Sequence, residues 1–141
     1  MNVPKNAIEL ATYFEGFYPK PYLCPAGFWT IGYGRLCRKD HPPISKNQAV
    51  VYLIEDLQDA LNGTIRHCPV LLGRSDLWLG AIVDFVFNLG AGRLAVSTLK
   101  KRINAERWDD VPTELNKWVY GGGRKLKGLI FRREAEARFF S

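Results

Sequence analysis

Phe14-Glu15-Gly16-Phe17-Tyr18-Pro19-Lys20-Pro21-Tyr22-Leu23-Cys24-Pro25-Ala26-Gly27-Phe28-Trp29-Thr30-Ile31-Gly32-Tyr33-Gly34-Arg35 is the stretch on which the fold turns. Its three prolines, at 19, 21 and 25, forbid a long helix, because each removes a backbone N–H and crowds the preceding turn. Glycines at 27, 32 and 34 punctuate a run rich in Tyr, Phe, Trp, Thr and Ile. Aromatic and β-branched side chains suit a pleated, half-buried surface. Residues 17–36 therefore predict a small, twisted antiparallel sheet with tight turns.

The flanks of this segment read as helix. Upstream, residues 4–14 carry Ile8, Ala11 and Phe14 on one side, and Gly16 offers a stop. Downstream, His41-Pro42-Pro43 closes the sheet region, and Ser45 followed by Gln48 resembles a capping box. The helix it opens should run to about Cys68, with Ala49, Leu53, Leu57 and Leu61 forming an apolar stripe. From Asp76 to Leu89 the chain is apolar on nearly every side, which marks a helix buried in the middle of a bundle. Shorter helical patterns follow around 94–104, 108–119 and 125–139. No internal repeat interrupts the order.

These elements predict an α+β fold: a mainly helical lobe and a small antiparallel β lobe, joined by a long helix, with an active-site cleft between them. The expected organisation is one domain over 1–141. Its β lobe covers about 15–44, its connecting helix about 45–67, and its helical lobe about 68–141, with 1–14 packed on that lobe. At 141 residues and 47% apolar composition the chain can build a real core.

A net charge of +6 and a pI near 9.4 predict attraction to polyanions, which include nucleic acid, anionic lipid and an anionic cell wall. The basic residues are scattered, densest from Arg124 to Arg133, and no nucleic-acid reading motif accompanies them. Cys24, Cys37 and Cys68 lack CxxC spacing, and only His41 and His67 stand beside them, so neither a zinc site nor any cofactor is expected. Their odd number predicts reduced thiols. The first fifteen residues carry Lys5 and Glu9 and match neither a signal peptide nor a membrane span. A target outside the cytoplasm would then need another agent of delivery.

The spacing inside the opening segment resembles the phage-type lysozymes, glycoside hydrolase family 24. In that family a Glu-Gly at a helix end is followed, eight residues on, by Asp or occasionally Cys. Five residues further comes a Thr in Thr-Ile-Gly-x-Gly-[His/Arg]. Here eight residues separate Glu15 from Cys24, and five separate Cys24 from Thr30. The likeness continues in Phe87-Asn88-Leu89-Gly90, Ser97-Thr98-Leu99 and Arg107-Trp108. It ends with Trp118, Gly121-Gly122-Gly123, Gly128-Leu129 and Arg132-Arg133.

The resemblance implies a lysozyme-like fold and a glycosidase cutting the β-1,4 bond between N-acetylmuramic acid and N-acetylglucosamine in peptidoglycan. Glu15 would be the general acid. A glycosidic oxygen leaves poorly until protonated, and a Glu at an apolar helix end facing a cleft can have its pKa raised by partial desolvation. By resemblance an arginine of the C-terminal lobe pairs with this acid, and Arg124 or Arg133 could serve. Thr30 would hold the nucleophilic water, since a hydroxyl both donates and accepts; a β-branched residue chosen for strand propensity is the plainer reading. Leu36, Phe87 and Thr98 match positions that line the saccharide cleft, although Phe87 also fits a plain core position.

Cys24 departs from the commoner Asp. A thiol with a reference pKa of about 8.5 is a weaker anion and base near neutrality. It could orient water, act as a thiolate beside a cation, or merely fill the aspartate's volume. Trp29, Trp78, Trp108 and Trp118 could stack on sugars, but three of them sit at helical spacings where core is the usual answer. The triple glycine reads as a hinge or turn.

Biologically the resemblance implies a monomeric phage endolysin that neither binds nucleic acid nor inserts stably in a membrane. It would be made in the host bacterial cytoplasm and act in the periplasm once a separate membrane-permeabilising protein releases it. Two other readings compete: a peptidoglycan-binding module of the same fold that lost catalysis at Cys24, and a basic nucleic-acid binder.

Overall fold

The computed structural model describes all residues, Met1–Ser141. Helix α1 (Lys5–Glu15) leads into strands β1 (Tyr18–Leu23), β2 (Trp29–Gly32) and β3 (Arg35–Leu36). They form one antiparallel sheet in the order β1-β2-β3. Pro19 and Pro21 lie in β1, an edge strand, where prolines cost no ladder bond on the open side. The β1–β2 register slips between the pairs Tyr18–Gly32 and Tyr22–Thr30, across those prolines. β2 returns into β3 through Tyr33-Gly34, and Gly34 takes φ +90°, a conformation that L side chains rarely adopt.

Helix α2 (Lys46–His67) starts as its capping residues dictate, with the Gln48 N–H donating to Ser45 Oγ at 3.1 Å. Ala49, Leu53, Leu57 and Leu61 are all buried, so the fourfold stripe faces the core. Helix α3 (Asp76–Leu89) is capped by Ser75, whose Oγ accepts from the Leu77 N–H at 3.1 Å. Every residue from Leu79 to Val86 is buried. α3 packs against α1, α2 and the last helix, which makes it the axis of the helical body. Its Gly80 lets α1 approach: a Cβ there would collide with the Asn6 side chain, which donates to Leu77 O at 2.9 Å.

Three expectations need correction. The buried face of α1 is Asn6, Ala7, Leu10 and Ala11, with Ile8 and Phe14 only half-buried at its edge, because α1 meets α3 through its smallest residues. The helix expected over 94–104 divides into α4 (Ala91–Ala95) and α5 (Thr98–Asn104). Ser97 is the break: its hydroxyl donates to Leu94 O at 2.7 Å and accepts from the Lys100 N–H at 3.0 Å, ending one helix and capping the next. The segment 108–119 is a single 3-10 turn followed by the short helix α6 (Val111–Leu115), which has Pro112 in its first turn. The triple glycine, expected as a hinge or turn, is the turn of a hairpin over 120–125, formed by β4 (Tyr120–Gly121) and β5 (Arg124–Lys125). Its turn is Gly122-Gly123, both at positive φ. Helix α7 starts after it, at Lys127, and runs to Ala137.

Trp78 meets Trp108 at a tilt, 4.6 Å between centroids, and Trp118 meets Phe85 edge-on at 5.7 Å, so these three pack on the core. Trp29 is half-buried in the sheet under Lys39. No helix is long and apolar enough to cross a membrane.

Candidate active site

Glu15 is the last residue of α1, and Gly16 turns the chain away at φ +73°. Its side chain keeps 20% of its surface exposed. Glu15 Oε2 accepts from Arg132 Nη1 at 2.6 Å. Arg132, on α7, is only 5% exposed and spends its other two nitrogens on one partner. Nε donates to Asp84 Oδ2 at 2.9 Å and Nη2 donates to Asp84 Oδ1 at 2.7 Å. This is the bidentate fork that suits a guanidinium to a carboxylate. The rings of Phe14 and Phe87 flank the guanidinium, with centroids at 5.6 and 5.9 Å.

The partner of Glu15 is thus neither Arg124 nor Arg133. Arg124 is exposed in the β4–β5 hairpin. Arg133 is fully buried, but it points elsewhere and donates to Asn88 Oδ1 at 2.8 Å and Glu136 Oε2 at 2.9 Å. Adjacent residues on a helix diverge by about 100°, so Arg132 and Arg133 cannot serve the same face. Asp84 also went unseen in the sequence. Its signal was there: it is the only charged residue between Leu77 and Leu89, inside a helix read as buried all round.

Gly34 sits directly against the acid. A Cβ at this position would stand 2.7 Å from Glu15 Oε1. The missing side chain therefore leaves that oxygen clear while Arg132 holds the other. Beyond Gly34 opens a cleft of about 500 Å³. Leu36 from β3, Asp56 and Asp59 from α2, and Val86 and Phe87 from α3 line it. Leu36 is 67% exposed and Phe87 half-buried, so Phe87 serves both core and cleft. Thr98, exposed at the first turn of α5, is not among the lining residues.

Cys24 and Thr30 come together at the β1–β2 end. The Cys24 N–H donates to Phe28 O at 2.9 Å, and the Gly27 N–H donates to Cys24 O at 2.9 Å, closing the turn between the strands. The Phe28 backbone holds the Cys24 thiol below its ordinary pKa, with help from Ala26, the Thr30 hydroxyl and Gly27. Burial pushes the other two thiols up, Cys68 to about 11. Thr30 is buried and donates to Phe28 O at 3.1 Å. Its single proton can turn to the sulfur when Cys24 ionises. Tyr22, paired with Thr30 across the sheet, was not anticipated. Burial pushes its phenol up, and the charge of Glu15 adds to this along with Tyr18 and Cys24.

A carboxyl at a helix end, gripped by a buried arginine beside a cleft between a small sheet and a helical body, is the layout of a lysozyme-type glycosidase. The chain matches the phage lysozyme family over residues 12–136 and belongs to that family. It is 34% identical over 144 residues to the endolysin of Bacillus phage B103, covering 99% of this chain and 54% of that protein. It is 34% identical over 147 residues to the endolysin of Acyrthosiphon pisum secondary endosymbiont phage 1, covering 99% of this chain and 98% of that one. The chain thus spans about half the length of the first relative and nearly all of the second. The muramidase domain of SpmX from Asticaccaulis excentricus superposes with a TM-score of 0.85 at 25% identity, covering 98% of this chain and 96% of that domain.

The contact between Gly34 and Glu15 makes a direct prediction. Gly34→Ala places a methyl group against Oε1 and forces an L residue to φ +90°. Activity should fall by on the order of 10²-fold, since small displacements at a reacting group cost that much. Melting temperature should fall only modestly, in keeping with about 1–3 kcal/mol of backbone strain. Parallel rate and melting measurements separate the two, and a fully active Gly34→Ala variant would show that Oε1 needs no clearance.

Proposed function

We propose that this chain hydrolyses the β-1,4 bond between N-acetylmuramic acid and N-acetylglucosamine in bacterial peptidoglycan, in the service of phage-induced host lysis. The observation that carries the reading is the clamp on Glu15: Oε2 is held by Arg132 and Oε1 is left open beside Gly34. Oε1 is then the oxygen that carries the proton to the glycosidic oxygen. Asp84 already balances the Arg132 charge, so Arg132 offers Glu15 a directed hydrogen bond rather than an unmatched cation. As the leaving group takes the proton, Glu15 becomes a carboxylate, and the Arg132 bond strengthens with the charge.

Water attacks the anomeric carbon in a single displacement that inverts configuration, and Thr30 with Cys24 positions it. The Thr30 hydroxyl can accept from this water or donate to it. Cys24, held toward the thiolate, supplies the partial negative charge that an aspartate would bring. Leu36 and Phe87, which line the cleft, are the proposed saccharide contacts, and Thr98, outside that lining, is proposed as a third on the family resemblance alone. The protein acts as a monomer, with its +6 charge drawing it to the anionic wall rather than to nucleic acid. It acts in the periplasm, after synthesis in the host cytoplasm and release by a separate membrane-permeabilising protein.

Turbidity loss of permeabilised Gram-negative cells, together with new reducing ends from purified sacculi, tests the activity. Retention on sacculi without reducing ends would identify a binding module instead. The role of Cys24 has its own test. Cys24→Asp should stay active, and Cys24→Ala should lose about 10-fold or more, within the range of a positioned base or charge. The lowered Cys24 pKa also predicts that iodoacetamide alkylates Cys24 before Cys37 and Cys68, because the thiolate is the nucleophile. Peptide mass spectrometry reads the order. Wild-type activity in Cys24→Ala would reduce Cys24 to a filler of volume.

A further inference from the structure

Tyr18 and Tyr22, both on β1, are aromatic side chains that the core does not use. Phe17 and Tyr33 pack into or against the core, whereas this pair stands outside it. The two rings meet each other, with centroids 4.0 Å apart and planes tilted by 30°. Tyr22 is half-buried, and Tyr18 keeps 42% of its surface exposed. A Cβ on Gly16 would stand 3.7 Å from Tyr18 Cε2, so the Tyr18 ring lies beside the residue that follows Glu15. Each ring has one face on the other, which leaves the outer face of Tyr18 to solvent.

The sheet register shows which way this pair faces. Residues directly opposite in an antiparallel sheet share a face. Tyr22 pairs with Thr30, and Thr30 pairs with Leu36, so the three form one row across β1, β2 and β3. Ile31 and Arg35 pair on the other face. Ile31 is fully buried there, and Arg35 reaches Glu55 and Asp56 of α2, which identifies that face as the one packed on α2. The row of Tyr22, Thr30 and Leu36 therefore looks away from α2. At one end Leu36 lines the cleft of about 500 Å³. Thr30 stands in the middle. Tyr22 lies at the other end, about 10 Å from Leu36 at the ordinary strand spacing.

We infer that the Tyr18–Tyr22 pair is a saccharide platform for the stretch of glycan beyond the bond that is cut, on the side of Thr30 away from the cleft. Tyr18 is the contact, through its outer face, and Tyr22 is a positioning residue that fixes the angle of that ring. The inference rests on the proposed hydrolysis but concerns where the chain lies, not how its bond breaks.

The chemistry of the substrate fits such a surface. An enzyme that cuts inside a polymer holds sugars on both sides of the bond. Leu36 and Phe87 line the cleft on one side. On the other, a pyranose ring presents the C–H bonds of one face, whose partial positive charge matches the negative face of an aromatic ring. Stacking of this kind asks for area rather than a particular hydroxyl pattern, which suits a chain of alternating sugars. The charge of Glu15 reaches the Tyr22 phenol and adds to the rise that burial causes, in keeping with a pair that stands beside the acid.

A peptidoglycan octasaccharide, reduced with borohydride so that its two ends differ in mass, reports both the rate and the place of cutting. Tyr18→Ala should raise KM about fivefold with kcat changed less than about twofold, the effect of losing one aromatic contact made equally before and during reaction. The products should also redistribute among the bonds, because the chain no longer prefers the register that covers the platform. Tyr18→Phe and Tyr18→Trp keep a ring and should restore both readouts. Tyr22→Phe keeps the stack and should stay within about twofold of wild type.

Wild-type KM and an unchanged product pattern in Tyr18→Ala overturn the platform. A loss of kcat in Tyr22→Phe overturns it too, since the hydroxyl beside Thr30 would then be the working group rather than the ring. Wild-type protein that leaves the octasaccharide whole removes the hydrolysis instead, and titration calorimetry with the same octasaccharide then decides the platform by itself. Binding about fivefold weaker in Tyr18→Ala than in wild type supports it. Equal binding by the two, or no binding by either, overturns it.

Discussion

Glu15→Gln is expected to abolish turnover while leaving the protein folded and able to bind sacculi. Gln keeps an oxygen that can accept from Arg132 Nη1, so the clamp of Glu15 to α7 keeps its geometry. What disappears is the carboxyl beside Gly34 that the proposed function makes the proton donor. General-acid assistance is typically on the order of 10²–10⁴-fold, and more when the leaving group is as poor as a sugar alkoxide. Reducing-end release should therefore fall to background, with the melting temperature within a few degrees of wild type. The two readouts matter together: an inactive but unfolded variant would say nothing about the acid, and an active folded one would remove Glu15 from the chemistry.

Arg132→Met carries the largest expected cost to stability. Arg132 makes three hydrogen bonds to two carboxyls across three helices, and its removal leaves Asp84 buried without either bond of its fork. Breaking a buried ion pair from one side costs about 3–5 kcal/mol, because the remaining charge stays uncompensated. For a chain of this size that corresponds to a fall in melting temperature on the order of 10 °C. Activity should vanish as well, since Glu15 loses its orientation. The double variant Asp84→Leu with Arg132→Met separates these effects. Apolar replacement of both partners should recover most of the stability but none of the activity. If the single variant melts like wild type, the fork is not the link between α3 and α7 that the geometry describes.

Parts of this architecture are legible in the chain because they rest on short-range rules. The prolines and aromatics of 17–36 exclude helix and favour strand, and the sheet formed there. Ser45 and the stripe Ala49, Leu53, Leu57 and Leu61 mark α2 with its cap and its buried face. The misjudged elements failed where two local rules compete. Ser97 lies inside an apolar pattern that reads as continuous helix, yet its hydroxyl satisfies the end of one helix and the start of the next. The triple glycine reads as a turn, but two-residue strands are too short to show a period-two pattern, so the hairpin around it stayed hidden.

The site divides along the same line. Glu15, Cys24 and Thr30 could be singled out because the spacing that carries the family resemblance lies within one short segment. The Glu15 partner could not, because the bond that defines it spans 117 residues in sequence, and the Asp84–Arg132 fork spans 48. Arg132 and Arg133 are chemically identical neighbours, and both are buried. Only the rotation of α7 against α1 and α3 decides which of them meets the acid. By itself the sequence determined the helix end where Glu15 stands, the small sheet that follows it and the helices that carry the core. The tertiary structure decided the arginine that holds the acid, the aspartate that holds the arginine, and the glycine that leaves one oxygen free. Periodicity states which residues turn inward, whereas the partner each one finds there depends on how separate helices pack.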